Sequence, residues 1–141
     1  MRWVDGAIER ACDELAREMS GVIVVGIVDL ETGMVSAQRS RDDVDPRMLD
    51  VVALAATDLH RGPSLARVAS LLSRDVGMSH TTMDELHLVA PERLYFLKVL
   101  NRDALAIFAT TDRTTNPGLG WVQLRQSCAQ ALAAEPIEHA C

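Results

Sequence analysis

The sequence predicts a mixed α/β (α+β) fold in which helices cover both faces of one antiparallel sheet, in the order α-β-β-α-β-β-β-α. The first observation is that amphipathic segments alternate with short runs rich in β-branched residues. The second is that residues 94–100 and 104–110 carry apolar side chains on both faces, and such a sheet needs helices on both sides. The third is the length of 141 residues, which suits one domain. We expect a single domain over residues 1–134 and a flexible tail over residues 135–141.

The first helix is predicted over residues 3–19, because its apolar residues recur every three or four positions and its charged residues take the opposite side. Gly21 ends this helix in the left-handed conformation that glycine adopts readily. Strands over residues 22–28 and 34–38 follow, and they are joined by a hairpin loop that closes with Gly33.

The middle helix is predicted to begin at Asp45-Pro46, where an acceptor side chain precedes a proline in the first helical position. It ends near residue 60, and a shorter helical segment over residues 65–74 follows a break at Gly62-Pro63. A loop over residues 76–83 comes next. Three short strands joined by tight turns are then predicted, over residues 85–90, 94–100 and 104–110.

The apolar side chains of the middle helix cover an arc of about 200°, whereas a helix buried on one side needs about 100°. One alternative is that residues 65–72 cover the surplus within the same chain. The other is a symmetric dimer in which the middle helices of two copies pack together, which small side chains favour. Under the second alternative the contact residues are Leu49, Val52, Ala53, Ala56 and His60.

The charge and composition of the chain exclude several functional classes. A net charge of −6 and a pI of about 5.1 argue against binding to nucleic acid or to an anionic membrane, since both require a basic surface. Lys98 is the only lysine, so a phosphate loop of the Gly-Lys-Ser/Thr type is absent. The amino terminus has no apolar signal core and no apolar run is long enough to cross a bilayer. We therefore expect a cytoplasmic protein.

The sequence carries no catalytic or metal-binding motif that we recognise. Cys12 and Cys128 lie on the apolar stripes of two helices, where cysteine behaves as a small hydrophobic residue. No CxxC, HExxH or GxSxG pattern is present. The histidines show no ligand spacing: His60, His80, His87 and His139. We expect neither enzymatic activity nor a cofactor nor a metal.

The best candidate for a ligand site is the segment 110–116, which leads into a last helix that begins at Asn116-Pro117. Its hydroxyl and guanidinium groups face a helix amino terminus, where free N–H groups attract anions. The residues that would bind a phosphate or carboxylate are Thr111, Arg113 and Thr115. The alternative is that this loop only caps its helix.

Short motifs at both ends of the chain resemble the roadblock / dynein light-chain superfamily, in particular its bacterial gliding-motility-regulator-like domains. At the amino-terminal end these are a strand that closes with Val28-Asp29 and a second strand opened by Gly33-Met34-Val35. At the carboxyl-terminal end they are Asp112 and the run Asn116-Pro117-Gly118-Leu119-Gly120 before Leu124-Arg125. The resemblance covers residues 3–134. It implies a profilin-like, five-stranded antiparallel sheet with the first and last helices on one face and the middle helix on the other.

The resemblance also implies a function. Members of this superfamily are homodimers whose sheets join edge to edge and whose middle helices pair. They are not enzymes, and they serve as platforms for Ras-like small GTPases or as adaptors in motor and signalling complexes. We therefore expect a non-enzymatic homodimeric module that binds itself and a small GTPase or another regulatory protein. The alternative is a sensor that holds a small molecule, such as an anionic metabolite, between the sheet and one helix.

Overall fold

The computed structural model describes residues 6–41, 44–61, 63, 67–68, 70–71, 84–100 and 105–133. The predictions for residues 3–5, the loop 76–83, the turn 101–103, His80, His139 and the tail 135–141 lie outside these residues. The elements within the described part are α1 (Gly6–Glu18), β1 (Val22–Asp29), β2 (Val35–Ser40), α2 (Pro46–Arg61), β3 (Glu85–Val89), β4 (Arg93–Val99), β5 (Leu105–Asp112) and α3 (Pro117–Ala133). Their order confirms the predicted one.

The five strands form one antiparallel sheet in the order β2-β1-β5-β4-β3. The long central strands β1 and β5 pair with Ile27 opposite Ile107, which joins the amino-terminal hairpin to the carboxyl-terminal meander. This order leaves β2 and β3 as the two edge strands.

Helices cover both faces of the sheet, as predicted. On one face α1 and α3 pack together, and Ile8 of α1 and Leu124 of α3 share a core with Ile27 and Phe96. On the other face α2 packs alone, and its buried alanines meet Val24, Val28 and Phe108. Because the strands alternate their side chains between the faces, the apolar residues on both sides have a helix layer to contact.

Local chemistry accounts for the predicted turns and helix starts. Gly21 and Gly33 have φ angles of 74° and 77°, in the region that glycine adopts at little cost. Asp45 caps α2, because its Oδ1 accepts a hydrogen bond from the Arg47 N–H at 3.0 Å. Asn116 caps α3 in the same way through the Leu119 N–H at 3.1 Å.

Several strand ends differ from the prediction by one residue, and two differ by two residues because pairing across the sheet extends them. β2 continues to Ser40, which lies opposite Val24 beyond an irregularity in the register. β5 continues to Asp112, which lies opposite Arg93. Thr111 is therefore a buried strand residue and not part of a loop.

We predict that Leu97→Ala lowers the free energy of unfolding by about 2–5 kcal/mol, because Leu97 is buried in the core on the α2 face of the sheet and its loss leaves a cavity. Urea denaturation followed by circular dichroism measures this change. The matched control is Leu54→Ala on α2, where the same atoms are removed from a side chain that is 58% exposed. The control should cost less than about 1 kcal/mol, and equal losses for the two variants would contradict this account of the core.

Candidate partner interface

Helix α2 covers only part of the sheet face on which it lies. It packs over the β1–β2 half of the sheet, and its buried residues are the small Ala53 and Ala56. Its first turn is also tied to β4 through a hydrogen bond from the Arg93 guanidinium to the Met48 sulfur at 2.9 Å. Among the helices that the structure describes, none packs over the β3–β4 half of the same face.

An apolar groove of about 240 Å³ runs between α2 and this uncovered part of the sheet. From α2 it is lined by Met48, Val51, Val52, Ala55 and Ala56. From the strands it is lined by Leu86, Leu88, Tyr95, Phe96, Leu97, Phe108, Ala109 and Thr110. The rim is accessible, since Val51 is 63% exposed and Leu88 is 47% exposed. An apolar surface of this kind marks a place where another molecule binds.

The edge strand β3 lies beside the groove, and among the described strands it pairs only with β4. At its end the Ala90 N–H donates to the Arg93 carbonyl oxygen at 2.9 Å. Hydrogen-bonded pairs alternate along an antiparallel ladder. The N–H groups that point away from β4 are therefore those of Glu85, His87 and Val89.

The structure separates the five middle-helix residues that the sequence suggested as a contact surface. Ala53 and Ala56 are each only 1% exposed and face the sheet, so a direct helix–helix contact through Ala53 is corrected, whereas Ala56 also borders the groove. Val52 lines the groove, whereas Leu49 packs against the core beneath α2. His60 is half-buried, and its Nδ1 atom has no hydrogen-bond partner.

Several residues that line the groove were not among the contact residues predicted from the sequence. They are Leu86 and Leu88 of β3 and Met48, Val51 and Ala55 of α2. The signal for the first was the alternation of Leu86 and Leu88 with polar neighbours in a short strand. The alternative in which residues 65–72 cover α2 gains no support from the described part of that segment, because Val68 and Leu71 are about half-exposed.

The three residues of the segment 110–116 that the sequence suggested as an anion site, Thr111, Arg113 and Thr115, each donate a hydrogen bond within the chain. The Thr111 hydroxyl donates to the Asp112 carbonyl oxygen, and the Thr115 hydroxyl donates to the Ser20 carbonyl oxygen. The Arg113 guanidinium donates to the Ala90 carbonyl oxygen at 2.7 Å. The Asp112 carboxylate lies in the same loop and accepts hydrogen bonds from the backbone N–H and the hydroxyl of Thr114. These hydrogen bonds hold the pKa of the Asp112 carboxyl below its usual range. This arrangement favours the alternative in which the loop caps its helix.

The opposite face of the sheet carries an aromatic cluster at the β3 edge. The Trp121 ring meets those of Phe96 and His87 at centroid distances of 5.3 and 5.8 Å. The Arg125 guanidinium lies over Trp121 and donates to both carboxylate oxygens of Glu85 at 2.7 Å. These hydrogen bonds hold the pKa of Glu85 below its usual range.

The two described cysteines do not suit nucleophilic chemistry. Cys12 and Cys128 are free and buried, and burial raises the pKa of the Cys128 thiol to about 12. A thiol in this state is a poor nucleophile. Residues 6–41, 44–61, 84–100 and 105–133 hold no group of three or more His, Cys, Asp or Glu side chains that could bind a metal. Within the described helices, none is both long and apolar enough to cross a membrane.

The fold matches solved structures of roadblock proteins. MglB from Myxococcus xanthus is 14% identical, with 92% of this chain and 94% of that chain covered and a TM-score of 0.62. The gliding protein MglB from Thermus thermophilus is 19% identical, with 93% and 91% covered and a TM-score of 0.64. A Roadblock/LC7 domain from Streptomyces avermitilis is 13% identical, with 89% and 95% covered and a TM-score of 0.62. No family model and no curated protein matches the sequence.

These similarities extend over nearly the whole chain. The chain therefore has the roadblock fold, which confirms the resemblance seen in the sequence at the level of the fold.

We predict that Ala53→Arg unfolds the chain rather than separating two copies, because it forces a guanidinium between α2 and an apolar sheet. An uncompensated buried charge costs about 3–5 kcal/mol. Thermal denaturation followed by circular dichroism measures the effect. Ala55→Arg is the matched control, since Ala55 is exposed on the same helix and its variant should fold normally. A stably folded Ala53→Arg variant would contradict the placement of α2.

Proposed function

We propose that the chain is a non-enzymatic, homodimeric regulatory module of the cytoplasm that binds a Ras-like small GTPase or another regulatory protein. The observation that carries this proposal is the open apolar groove between α2 and the β3–β4 half of the sheet. None of the described elements covers this groove, and the outer edge of β3, which pairs with no other described strand, lies next to it.

A second copy of the chain fits the groove and the edge together. A two-fold axis beside β3 would bring the β3 edges of two copies together, so that the outward N–H and carbonyl groups of one strand meet those of the other. It would also bring α2 of each copy toward the other's groove, where Val51 and Leu88 become buried. The small Ala55 side chain permits a close approach of the two helices.

The outer flank of α2 supports the proposed binding of a small GTPase or another regulatory protein. Asp50, Leu54 and Asp58 are exposed on this flank, away from the groove. Such a mixture of apolar and charged groups is typical of surfaces that bind partners reversibly. Two paired α2 helices would present it twice, as a platform on which a GTPase switch segment is held in one conformation. Among the similar structures, the Thermus thermophilus protein is described as a gliding protein.

The sensor alternative has one observation in its favour. The groove lies between the sheet and a helix, and the fully buried Thr110 hydroxyl that borders it has no hydrogen-bond partner. Because the lining is otherwise almost wholly apolar, the ligand would be an apolar molecule with one polar group rather than an anion.

We predict that Val51→Glu converts a dimer into a monomer at low micromolar concentration, because it places a charge in the buried groove of the dimer. Light scattering after size exclusion should give twice 15.4 kDa for the wild type and 15.4 kDa for the variant. Leu54→Glu is the matched control, since it makes the same chemical change on the outer flank of the same helix and should remain a dimer. A monomeric wild type would overturn the homodimer.

We predict that wild-type bait captures a small GTPase from lysate of the source cell in only one nucleotide state. The lysate is supplied either with a GTP analogue or with GDP. Leu54→Glu should lose this capture while staying dimeric, because it adds a carboxylate to the platform but not to the groove. A folded, dimeric wild-type bait that retains no GTPase in either state would contradict the platform. A rise in melting temperature with an apolar ligand would then favour the sensor.

A further inference from the structure

The outer edge of β3 determines which residues two paired copies of the chain bring together. The Val99 N–H donates to the Asp84 carbonyl oxygen at 2.8 Å, so the even-numbered residues of this segment direct their backbone groups to β4. The odd-numbered residues Glu85, His87 and Val89 direct theirs outward. His87 is therefore the middle residue of the outer edge.

The homodimer proposed above, on which this inference rests, pairs this edge with the same edge of a second copy. In an antiparallel pair about a two-fold axis, the residue on the axis lies opposite itself. An axis at His87 uses the outward backbone groups of all three residues, because Glu85 then meets the partner's Val89. An axis one residue to either side places one of the three beyond the end of the partner's strand. The axis at His87 also sets Leu86 opposite the partner's Leu88, and both of these residues line the groove.

The His87 ring is exposed on the α3 side of the sheet. It lies 4.8 Å from the Phe96 ring and 5.8 Å from the Trp121 ring, measured between centroids. Its Nδ1 atom is 3.2 Å from the Tyr95 carbonyl oxygen. A carbonyl oxygen only accepts hydrogen bonds, so Nδ1 donates and Nε2 is the atom that takes up a proton. Histidine is the residue type that ordinarily gains a charge between about pH 8 and 5.

The carboxylates beside this ring are already paired with cations of the same chain. The charged side chains on this side of the strand or at its ends include Asp84, Glu85, Lys98, Arg113 and Arg125. Glu85 accepts two hydrogen bonds of 2.7 Å from the Arg125 guanidinium and lies 3.8 Å from the Lys98 ammonium group. Asp84 accepts a hydrogen bond of 2.6 Å from the same ammonium group. A proton on His87 therefore adds a positive charge beside cations, and the carboxylates described around it are engaged elsewhere.

We propose that mild acid weakens the homodimer, because His87 of one copy lies directly opposite the partner's His87. Side chains directly opposite each other in antiparallel strands have Cβ atoms about 4.5–5.5 Å apart, and like charges at such a position are destabilising. Two neutral rings can pack against each other there, whereas two imidazolium groups repel. Separated chains therefore take up protons more readily than the dimer does, and a fall in pH favours the separated chains.

The direction of this effect is opposite to that of the overall charge. The chain has a net charge of −6 at pH 7 and a pI of about 5.1, so two copies repel each other less as the pH falls toward the pI. Overall charge alone would strengthen a dimer at pH 5.5. A dimer that weakens there requires a local cause within its contact.

Sedimentation equilibrium of the full chain at pH 7.5 and pH 5.5 tests this proposal, and circular dichroism verifies that the chain is folded at both. The dissociation constant of the wild-type dimer should rise by about fivefold or more at pH 5.5. His87→Gln keeps a donor for the Tyr95 carbonyl oxygen but gains no charge, so its dimer should not weaken. The matched control is His60→Gln on α2, whose dimer should weaken as the wild type does.

A cysteine at the axis tests the register independently of pH. With Cys141→Ser as the background, His87→Cys should give a disulfide-linked species of twice 15.4 kDa on oxidation, because directly paired residues have Cα atoms about 5.5 Å apart. The matched control is Val89→Cys, which is 60% exposed on the same edge but lies opposite a different residue and should not cross-link. Cross-linking of Val89→Cys in place of His87→Cys would overturn the register.

The outcomes separate this inference from the homodimer itself. A wild-type dimer that is equally strong or stronger at pH 5.5 overturns the inference and leaves the homodimer standing. The same holds if the His87→Gln dimer weakens as much as the wild-type dimer. A wild type that is monomeric at both pH values overturns the homodimer and the inference together.

Discussion

The unequal covering of a two-faced apolar sheet is the constraint on which the rest of this structure depends. Two helices pack on one face and bury it around Ile27, Phe96 and Leu124. Of the described helices with given bounds, only α2 lies on the other face, and it does not cover the β3–β4 half. Exposed apolar surface is unfavourable in water, so the apolar groove on the β3–β4 half of this face is a surface on which another molecule can bind favourably. The groove and the exposed apolar side chains of α2 beside it both result from this incomplete covering of the sheet.

Local signals made the order of elements predictable from the sequence. Gly21, Gly33, Asp45 and Asn116 act within a few residues of their own positions, so a turn or a cap can be inferred without knowledge of the fold. The wide apolar arc of the middle helix was equally clear. One part of this arc packs against the sheet, and another part lines the groove.

The rotation of α2 and the end of β5 depend on tertiary contacts, and sequence reasoning failed there. A helical wheel gives the width of an apolar arc but not which part meets the sheet, so Ala53 and Ala56 were assigned to the wrong neighbour. Thr111 was taken for a loop residue because the strand that pairs with it is nearly twenty positions away in the chain. The hydroxyl of Thr115 donates to the Ser20 carbonyl oxygen, an acceptor that only the folded chain brings near.

Hydrogen exchange measured as a function of protein concentration tests the central claim, that a second copy covers the groove and the β3 edge. The amides of Glu85, His87 and Val89 point away from β4 and would be open to solvent in a single chain. Their exchange should slow by about tenfold or more as the concentration rises through dimer formation, while the other edge strand, β2, stays unchanged. Rapid exchange of these three amides at every concentration, or protection that develops at β2 instead, would contradict the claim.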